Sequence, residues 1–293
     1  MKEAFYDELV LVDDIKVKKD EVINSSINIS ATFKYVVEVT SIASLRKVFG
    51  LIKKYKMSYY ILGEVSNILF LKEYYDCLAI RTKIDFKNNN IVPSYKKISL
   101  INSKLIKDNI DSLLFLTMVP GSLGGAIFMN AGAMGKEMKD IIRRVYFYDI
   151  NEDKIKSFSN KQCEFGYRDS YFKRHEVIIL GASIVKKYKN MHEIKKEYKN
   201  IVNKRVSKIP YELPSLGSIF KNFNDISVGK LIDDLGLKGF RKNDACVSYK
   251  HANVIVNMGY SSGKDVMDLI KIIKSKVKEK YKRELELEII TFE

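Results

Sequence analysis

The sequence has little that would tie it to a membrane or to an oxidising compartment. No apolar run in its 293 residues reaches the roughly 18 that a membrane-spanning helix requires, so we expect no membrane insertion. Residues 1–21 carry charges throughout and lack the apolar core of a signal peptide. We therefore expect a cytoplasmic protein.

Cysteine is scarce as well. The three cysteines, Cys77, Cys163 and Cys246, are too far apart in sequence to indicate a disulfide framework or a metal-ligand spacing. We expect a reducing environment and no bound metal.

Arginine is much rarer than lysine in this chain. Basic residues as a whole outnumber acidic ones 51 to 36, which gives a net charge of +15. Such an excess can indicate a nucleic-acid partner. Only nine of the basic residues are arginine, the type that base-specific contacts favour, and the lysines are spread along the chain. We therefore expect no nucleic-acid partner. A milder alternative is that the positive field attracts a nucleotide diphosphate substrate.

The apolar pattern predicts an α+β protein with two domains, or with one large and one small domain. Residues 33–40 are rich in strand-forming residues, and residues 41–55 carry apolar residues at helical spacing behind a possible Ser41 cap. Short apolar segments at 59–63 and 66–71 are predicted strands that complete a first lobe.

A second lobe is predicted for about residues 78–187. It contains predicted strands at 145–150 and 177–185, and Ser112–Met118 is helical or extended.

The last part contains two predicted helices and a closing strand. Residues 227–235 form an amphipathic pattern that ends at Gly236, and Ser261 or Ser262 is expected to cap a long helix with one apolar face. LELEIITF at 285–292 is the predicted terminal strand.

The segment that most strongly indicates chemistry is the glycine-rich block Pro120–Gly135. Its glycines allow close backbone approach to a ligand and positive φ angles, and successive exposed N–H groups in such turns form an anion nest. A pyrophosphate is the ligand that such an anion nest suits best. The spacing matches neither G-x-G-x-x-G nor the P-loop. The alternative is a tight turn between packed elements.

This block resembles the PG-x-x-GG-A-x-x-x-NAGA-x-G motif of the UDP-N-acetylenolpyruvoylglucosamine reductase family. Five more segments resemble that family's motifs in the same order, and the resemblance extends from about residue 59 to 290. They are FGYRDSYFK at 165–173, LPSLGSIFKN at 213–222, GLKG at 236–239, VSYKHANVIVN at 247–257 and LELEI at 285–289.

The resemblance implies a fold and a domain organisation. It implies a two-lobed FAD-binding domain of the vanillyl-alcohol-oxidase-like type, residues 1–190 with lobes of about 1–77 and 78–190. A C-terminal α+β substrate-binding domain, residues 191–293, would follow, with its terminal strand returning toward the active site. The short gap from Arg168 to Ser218 resembles the subgroup without the tyrosine-bearing substrate loop.

The implied reaction is the NADPH-driven, FAD-dependent reduction of UDP-N-acetylenolpyruvoylglucosamine to UDP-N-acetylmuramate. That step belongs to peptidoglycan precursor synthesis, and so to cell-wall biogenesis, cell shape and cell division. By the same resemblance, Arg168 would stabilise the developing enolate, Ser218 would donate a proton and Glu288 would orient or polarise the carboxylate. Without it, Arg168 could pair with Asp169, Ser218 could cap a helix and Glu288 could lie on a solvated strand face.

The resemblance also implies binding residues. Those expected at FAD are Gly63, Ser66, Asn67, Pro120, Gly121, Ser122, Gly124, Gly125, Asn130, Ala131 and Gly132. Those expected at the UDP-sugar are Tyr167, Arg205, Lys208, Lys221, Asn222, Lys238 and Arg241.

The family pattern is broken at Gly63–Asn67, where the family normally has a glycine cluster, G-G-G-S-N or similar. Glu64 adds a negative charge and Val65 adds a branched Cβ, so FAD binding is expected to be weaker or differently shaped. The alternative functions are a nucleotide-sugar binder that has lost tight FAD binding and a flavin oxidase of the wider superfamily. We expect a monomer.

Overall fold

The computed structural model describes residues 2–293, which form two compact units. The first contains the chain up to Glu21, Phe33–Glu64 and Asp76–Val202, and the second contains Val22–Thr32, Val65–Tyr75 and Asn203–Glu293. The chain therefore passes between the units several times. Both units mix helices and strands, so the fold class is α+β, as predicted.

The first unit contains two four-stranded sheets and five helices. The first sheet has the order β1-β2-β5-β3, in which β3 and β5 are parallel, and three of its strands continue into the second unit. The second sheet is antiparallel with the order β10-β9-β11-β6. The strands of these sheets are β1 (Ile15–Asn24), β2 (Ser30–Val39), β3 (Tyr59–Ile61), β5 (Tyr74–Thr82), β6 (Val92–Pro93), β9 (Ile142–Asp149), β10 (Lys154–Ser159) and β11 (Val177–Ile184).

Helices α1 (Lys2–Leu9), α2 (Ile42–Tyr55), α3 (Ile98–Lys107), α4 (Leu123–Phe128) and α5 (Tyr171–Arg174) belong to the same unit. A small hairpin of β7 (Gly132–Ala133) and β8 (Lys136–Glu137) follows α4. Helix α6 (Met191–Lys208) begins in the first unit and ends in the second.

Helix α2 shows how the local sequence sets its limits. The Ser41 side chain accepts the amide of Ser44 at the N-terminus, and Lys56 adopts a left-handed conformation at the C-terminus. Its buried face, which includes Leu45, Val48 and Ile52, packs in a core with residues from both sheets. Spacing of three and four places these residues on one side of a helix, so burial fixes its orientation.

The second unit contains an antiparallel sheet with the order β12-β15-β14-β13 and a parallel pair, β4 and β16. Two helices pack in this unit, α7 (Val228–Asp234) and α8 (Gly263–Tyr281). The strands are β4 (Ile68–Phe70), β12 (Ser215–Ser218), β13 (Arg241–Lys242), β14 (Ala245–Val247), β15 (Val254–Asn257) and β16 (Ile290–Phe292).

Most predicted elements are confirmed, and the differences lie in short or terminal segments. Ser262, rather than Ser261, caps α8 through a reciprocal capping box with Asp265. Ser112–Met118 contains only a 3-10 turn at Leu114–Leu116. The predicted terminal strand is shorter than LELEIITF, because only Ile290–Phe292 pairs with β4. Within residues 2–293, no helix combines the length and apolar character that a membrane span needs.

Candidate active site

The glycine-rich block forms the turn into α4, and it uses several of its own amides for packing. Ser122 is the N-cap, and its side chain accepts the amide of Gly125 at 3.3 Å. The amides of Leu123 and Gly124 donate to the carbonyls of Lys96 at 2.9 Å and Ser94 at 2.8 Å. The amides of the first turn of this helix are therefore already paired within the protein.

Four other amides of the first unit remain open to a ligand. Within residues 2–293, the backbone N–H groups of Gly63, Glu64, Gly121 and Ser122 have no hydrogen-bond acceptor. Gly121 has a φ of 122°, a conformation that favours glycine. A Cβ at Gly63 would lie 3.1 Å from the Oγ of Ser122, so the two turns approach closely there.

This arrangement fits the pyrophosphate of a dinucleotide cofactor. Unpaired amides on two adjoining turns favour an anion, because each needs an acceptor when water is displaced. Of the residues predicted for FAD, the structure brings Gly63, Gly121 and Ser122 to this place. Gly124 instead packs its Cα against Ser94, where a Cβ would lie 3.0 Å from that side chain.

Asn130 holds the end of the glycine-rich block in place. It is fully buried and has a φ of 42°. Its amide nitrogen donates to the Gly166 carbonyl at 2.7 Å and to Oε2 of Glu137 at 3.1 Å, and its Oδ1 accepts the amide of Lys139 at 2.9 Å. In this structure Asn130 therefore connects the block to the turn that carries Arg168.

Arg168 lies at the tip of a tight turn between Gly166 and Asp169, whose backbones bond to each other at 3.0 and 3.3 Å. Its φ of 54° is left-handed. The guanidinium donates from Nη2 to the Gly132 carbonyl at 3.2 Å and lies 5.0 Å from the Tyr167 ring centre. The pairing with Asp169 that sequence alone allowed does not form, since the Asp169 carboxylate bonds to Arg174 instead.

In the second unit, Ser218 and Glu288 come close together through the backbone. The amide of Glu288 donates to the carbonyl of Ile219, the residue after Ser218, at 2.8 Å. Ser218 ends β12 after a register shift, and Gly217 beside it has a φ of 75°. Such a bulge re-aims a side chain. Both Ser218 and Glu288 are half-buried.

Two asparagines fix this pairing, Asn253 and Asn67. Buried Asn253 donates to the Phe220 carbonyl at 2.8 Å and accepts the Phe220 amide at 3.0 Å. The Asn67 side chain donates to the Glu288 carbonyl at 3.1 Å, and the Asn67 backbone carbonyl accepts the Ile290 amide at 2.9 Å. Asn253 was visible in the sequence only as one letter of a motif, because its role depends on strands that are distant along the chain.

Val65 and Ser66 also belong to the second unit. Val65 is buried, with a φ of 53°, although branched residues rarely adopt this conformation. The amides of Val65, Ser66 and Asn67 have no acceptor within residues 2–293. The backbone at Val65 therefore has the conformation that glycine favours.

The residues predicted for the UDP-sugar differ in how strongly they are held. Lys221 pairs with Glu286 at 3.0 Å, Lys238 pairs with Asp233 at 2.6 Å, and Arg205 donates to the Tyr211 hydroxyl at 2.7 Å. The Asn222 side chain accepts the Val228 amide at the start of α7, at 3.0 Å. Tyr167 is exposed.

Lys208 and Arg241 are different, because their side chains have no partner within the described chain. Both are exposed on the second unit and remain available to a polyphosphate.

Burial lowers the pKa of the nearby His251, and the positive charges of Lys238 and Lys208 lower it further. Sequence reasoning did not single out His251 beyond its place in a motif.

No group of three or more His, Cys, Asp or Glu side chains in residues 2–293 could hold an ion.

Comparison with known proteins gives one consistent result. Residues 209–292 match the family model described as UDP-N-acetylenolpyruvoylglucosamine reductase, C-terminal domain. A Thermotoga enzyme named UDP-N-acetylenolpyruvoylglucosamine reductase is 38% identical over 273 residues, covering 91% of this chain and 89% of the relative. The Clostridioides difficile protein of the same name is 35% identical over 283 residues, covering 94% and 93%.

The fold agrees with a solved structure. The crystal structure of the UDP-N-acetylenolpyruvylglucosamine reductase from Thermus caldophilus superposes with a TM-score of 0.81 at 26% identity, covering 95% of this chain and all of the other.

Proposed function

The chain belongs to the family of UDP-N-acetylenolpyruvoylglucosamine reductases, and we propose how its residues carry out that family's reaction. The reaction is the FAD-dependent, NADPH-driven reduction of UDP-N-acetylenolpyruvoylglucosamine to UDP-N-acetylmuramate. One observation carries the proposal: a single glycine-rich block offers unpaired amides at one end and anchors the Arg168 guanidinium at the other.

FAD, when bound, passes hydride from NADPH to the enolpyruvyl double bond. We propose that the amides of Gly63, Glu64, Gly121 and Ser122 bind its pyrophosphate, because they have no acceptor of their own. Asn130 supports this site indirectly. Its side chain is already hydrogen-bonded to Glu137 and Gly166, and these bonds hold the glycine-rich block in place.

Arg168 is the proposed electrostatic catalyst. Two-electron reduction at the vinyl carbon leaves negative charge on the substrate carboxylate, and a guanidinium can donate two parallel hydrogen bonds to it. The bond to the Gly132 carbonyl fixes the direction of the guanidinium before substrate arrives. Preorganisation of this kind lowers the barrier because little reorientation is needed during the reaction.

Ser218 is the proposed proton donor, and Glu288 is the proposed orienting group. The Oγ of Ser218 would give its proton to the carbon next to the carboxylate and later recover one from solvent. A hydroxyl is a weak acid, so this step is sensible only because an enolate is strongly basic. The bulge at Gly217 and the hydrogen bond from the Glu288 amide to the Ile219 carbonyl support this assignment, because they bring the two segments next to each other.

The UDP diphosphate is proposed to bind the second unit. Lys208 and Arg241 have unpaired side chains there and suit this role best, with Arg205, Lys221, Asn222 and Lys238 as supporting residues. The assignment of residues 1–190 to FAD binding and 191–293 to substrate binding likewise remains our proposal.

The reaction is tested most directly by a spectrum and a single-turnover assay. The purified chain should show flavin absorbance, lose it on addition of NADPH and regain it on addition of UDP-N-acetylenolpyruvoylglucosamine. A colourless protein that takes up no added FAD would contradict the proposal.

The role of Ser218 is tested by comparing Ser218→Ala with Ser215→Ala, which removes a hydroxyl from the same strand. Both variants should be reduced by NADPH at the wild-type rate. Only in Ser218→Ala should the rate of flavin reoxidation by substrate fall, by about 100-fold or more, because only this variant lacks the proton donor. Normal reoxidation in Ser218→Ala would remove Ser218 from this role.

We further propose a monomeric cytoplasmic enzyme. The three cysteines are buried and none of them forms a disulfide, which suits a reducing compartment. The large apolar side chains that are exposed are scattered along the chain, as Leu11, Tyr188 and Tyr260 illustrate. Light scattering at micromolar concentration tests the monomer, and a dimer mass would contradict it.

A further inference from the structure

Glu64 occupies a place where a negative charge is unfavourable. Its amide is one of the four that remain open for an anion, and Gly63 before it lies against Ser122. A carboxylate beside a bound pyrophosphate would repel it, since like charges a few ångströms apart in a partly desolvated site oppose each other strongly. The chain must therefore either accept weaker binding or neutralise this carboxylate.

Lys97 is the only residue within the described chain that forms an ion pair with Glu64. Its Nζ lies 3.2 Å from Oε2 of Glu64. Both residues belong to the first unit, and the lysine comes from a segment distant in sequence.

The backbone of Lys97 is held against the glycine-rich block. Lys97 lies opposite Ser122 in an isolated antiparallel bridge. The amide of Ile98 donates to the Gly121 carbonyl, and the amide of Leu123 donates to the Lys96 carbonyl, each at 2.9 Å. The lysine therefore starts from a fixed point beside the proposed pyrophosphate amides, and its side chain reaches the opposite turn.

Stability alone does not account for this pair. The side chains of Lys97 and Glu64 are 57% and 36% exposed, and an ion pair this exposed contributes little to folding. Its electrostatic effect on a neighbouring anion is larger, because the unpaired carboxylate would act on both charges of a diphosphate.

We propose that Lys97 is a positioning residue for FAD, which acts by neutralising and holding Glu64 rather than by contacting the cofactor. This inference rests on the proposed function, in which the adjoining amides bind the FAD pyrophosphate. Neutralisation of Glu64 by Lys97 would let this turn accept a pyrophosphate despite the added carboxylate.

The test is a double-mutant cycle on FAD affinity, with Kd measured by quenching of flavin fluorescence on titration into the apoprotein. Lys97→Met keeps the aliphatic stem, and Glu64→Gln keeps the shape of the carboxylate. Lys97→Met should weaken FAD binding on the order of tenfold, and the defect should shrink in high salt. In the Glu64→Gln background, the same lysine substitution should weaken FAD binding by less than about threefold.

Lys96→Met is the matched control, because it removes the same charge one residue away, where the side chain lies 4.6 Å from the Tyr95 ring. Its effect should be small and equal in both backgrounds. Thermal unfolding of each variant checks that the fold is intact.

Two results would overturn the inference while leaving the proposed function in place. An equal loss of affinity in both backgrounds would mean that Lys97 binds the cofactor itself, and no loss in either would mean that the pair is irrelevant to FAD. A wild-type protein that binds no FAD would instead defeat the proposed function, and this inference with it.

Discussion

Arg168 donates from Nη2 to the carbonyl oxygen of Gly132 across 3.2 Å, which joins the predicted catalytic cation to the predicted cofactor motif. Gly132 has no room for a side chain, because a Cβ would lie 2.8 Å from the Lys136 carbonyl and 3.2 Å from Nη1 of Arg168. The glycine is therefore needed as much for the placement of Arg168 as for any contact with a ligand.

Arg168→Lys should lower kcat by roughly 100-fold or more while leaving the fold intact. A lysine keeps the charge but cannot bond to Gly132 and fork onto a carboxylate at once. Steady-state kinetics check this, with Arg174→Lys in the same segment as the control. Comparable losses in the two variants would show that the segment is merely sensitive to substitution.

Asn130→Ala should destabilise the protein by about 3 kcal/mol, because it leaves the Gly166 carbonyl and the Lys139 amide without their partner in a buried site. Asn109→Ala is the control. Asn109 has a similar left-handed φ of 60°, but it is exposed. Urea unfolding of both variants separates loss of the buried bonds from backbone strain, and equal losses would argue against the role of Asn130.

At Val65, glycine should be tolerated better than alanine. Both substitutions remove buried methyl groups, but only glycine relieves the strain of the positive φ, which amounts to about 1 kcal/mol. Val254 provides the comparison, since it is equally buried within β15, where glycine should be the worse replacement. The free energies of unfolding of the four variants test this reversal, and the same order at both sites would contradict it.

His251 should make the protein less stable as the pH falls. Burial holds its pKa below the ordinary value of 6.5, so the unfolded chain binds a proton at a higher pH than the folded chain does. Stability therefore decreases as the pH drops from about 7 through 6.5 toward the folded pKa. Unfolding midpoints between pH 5 and 8 should show a shallower slope in His251→Gln than in the wild type, and an unchanged slope would contradict the prediction.

Much of the fold was predictable from local sequence. Apolar spacing and cap residues determined α2 and α8, because a helix buries one face and ends where its terminal amides or carbonyls find other partners. The choice between Ser261 and Ser262 as a cap was not predictable, since both can accept the bond and only packing selects one.

The site was predictable as a set of residues but not as a set of contacts. Resemblance to the family indicated Arg168, Ser218 and Glu288, and these assignments remain predictions that the substitutions above would test. The glycine content of the block predicts exposed backbone amides, whereas the amides in the first turn of α4 already donate to Ser94 and Lys96. Pairing between distant strands decides which amides stay open.

Motif order indicated the family and its reaction, and apolar periodicity indicated the α+β class, because both are properties of the linear chain. The folded structure alone brings Lys97 to Glu64, Asn67 to Glu288 and Gly132 to Arg168. These contacts join residues that are 33, 221 and 36 positions apart, respectively. Local propensity carries no information about such pairs, because their geometry is set by how sheets and turns pack together.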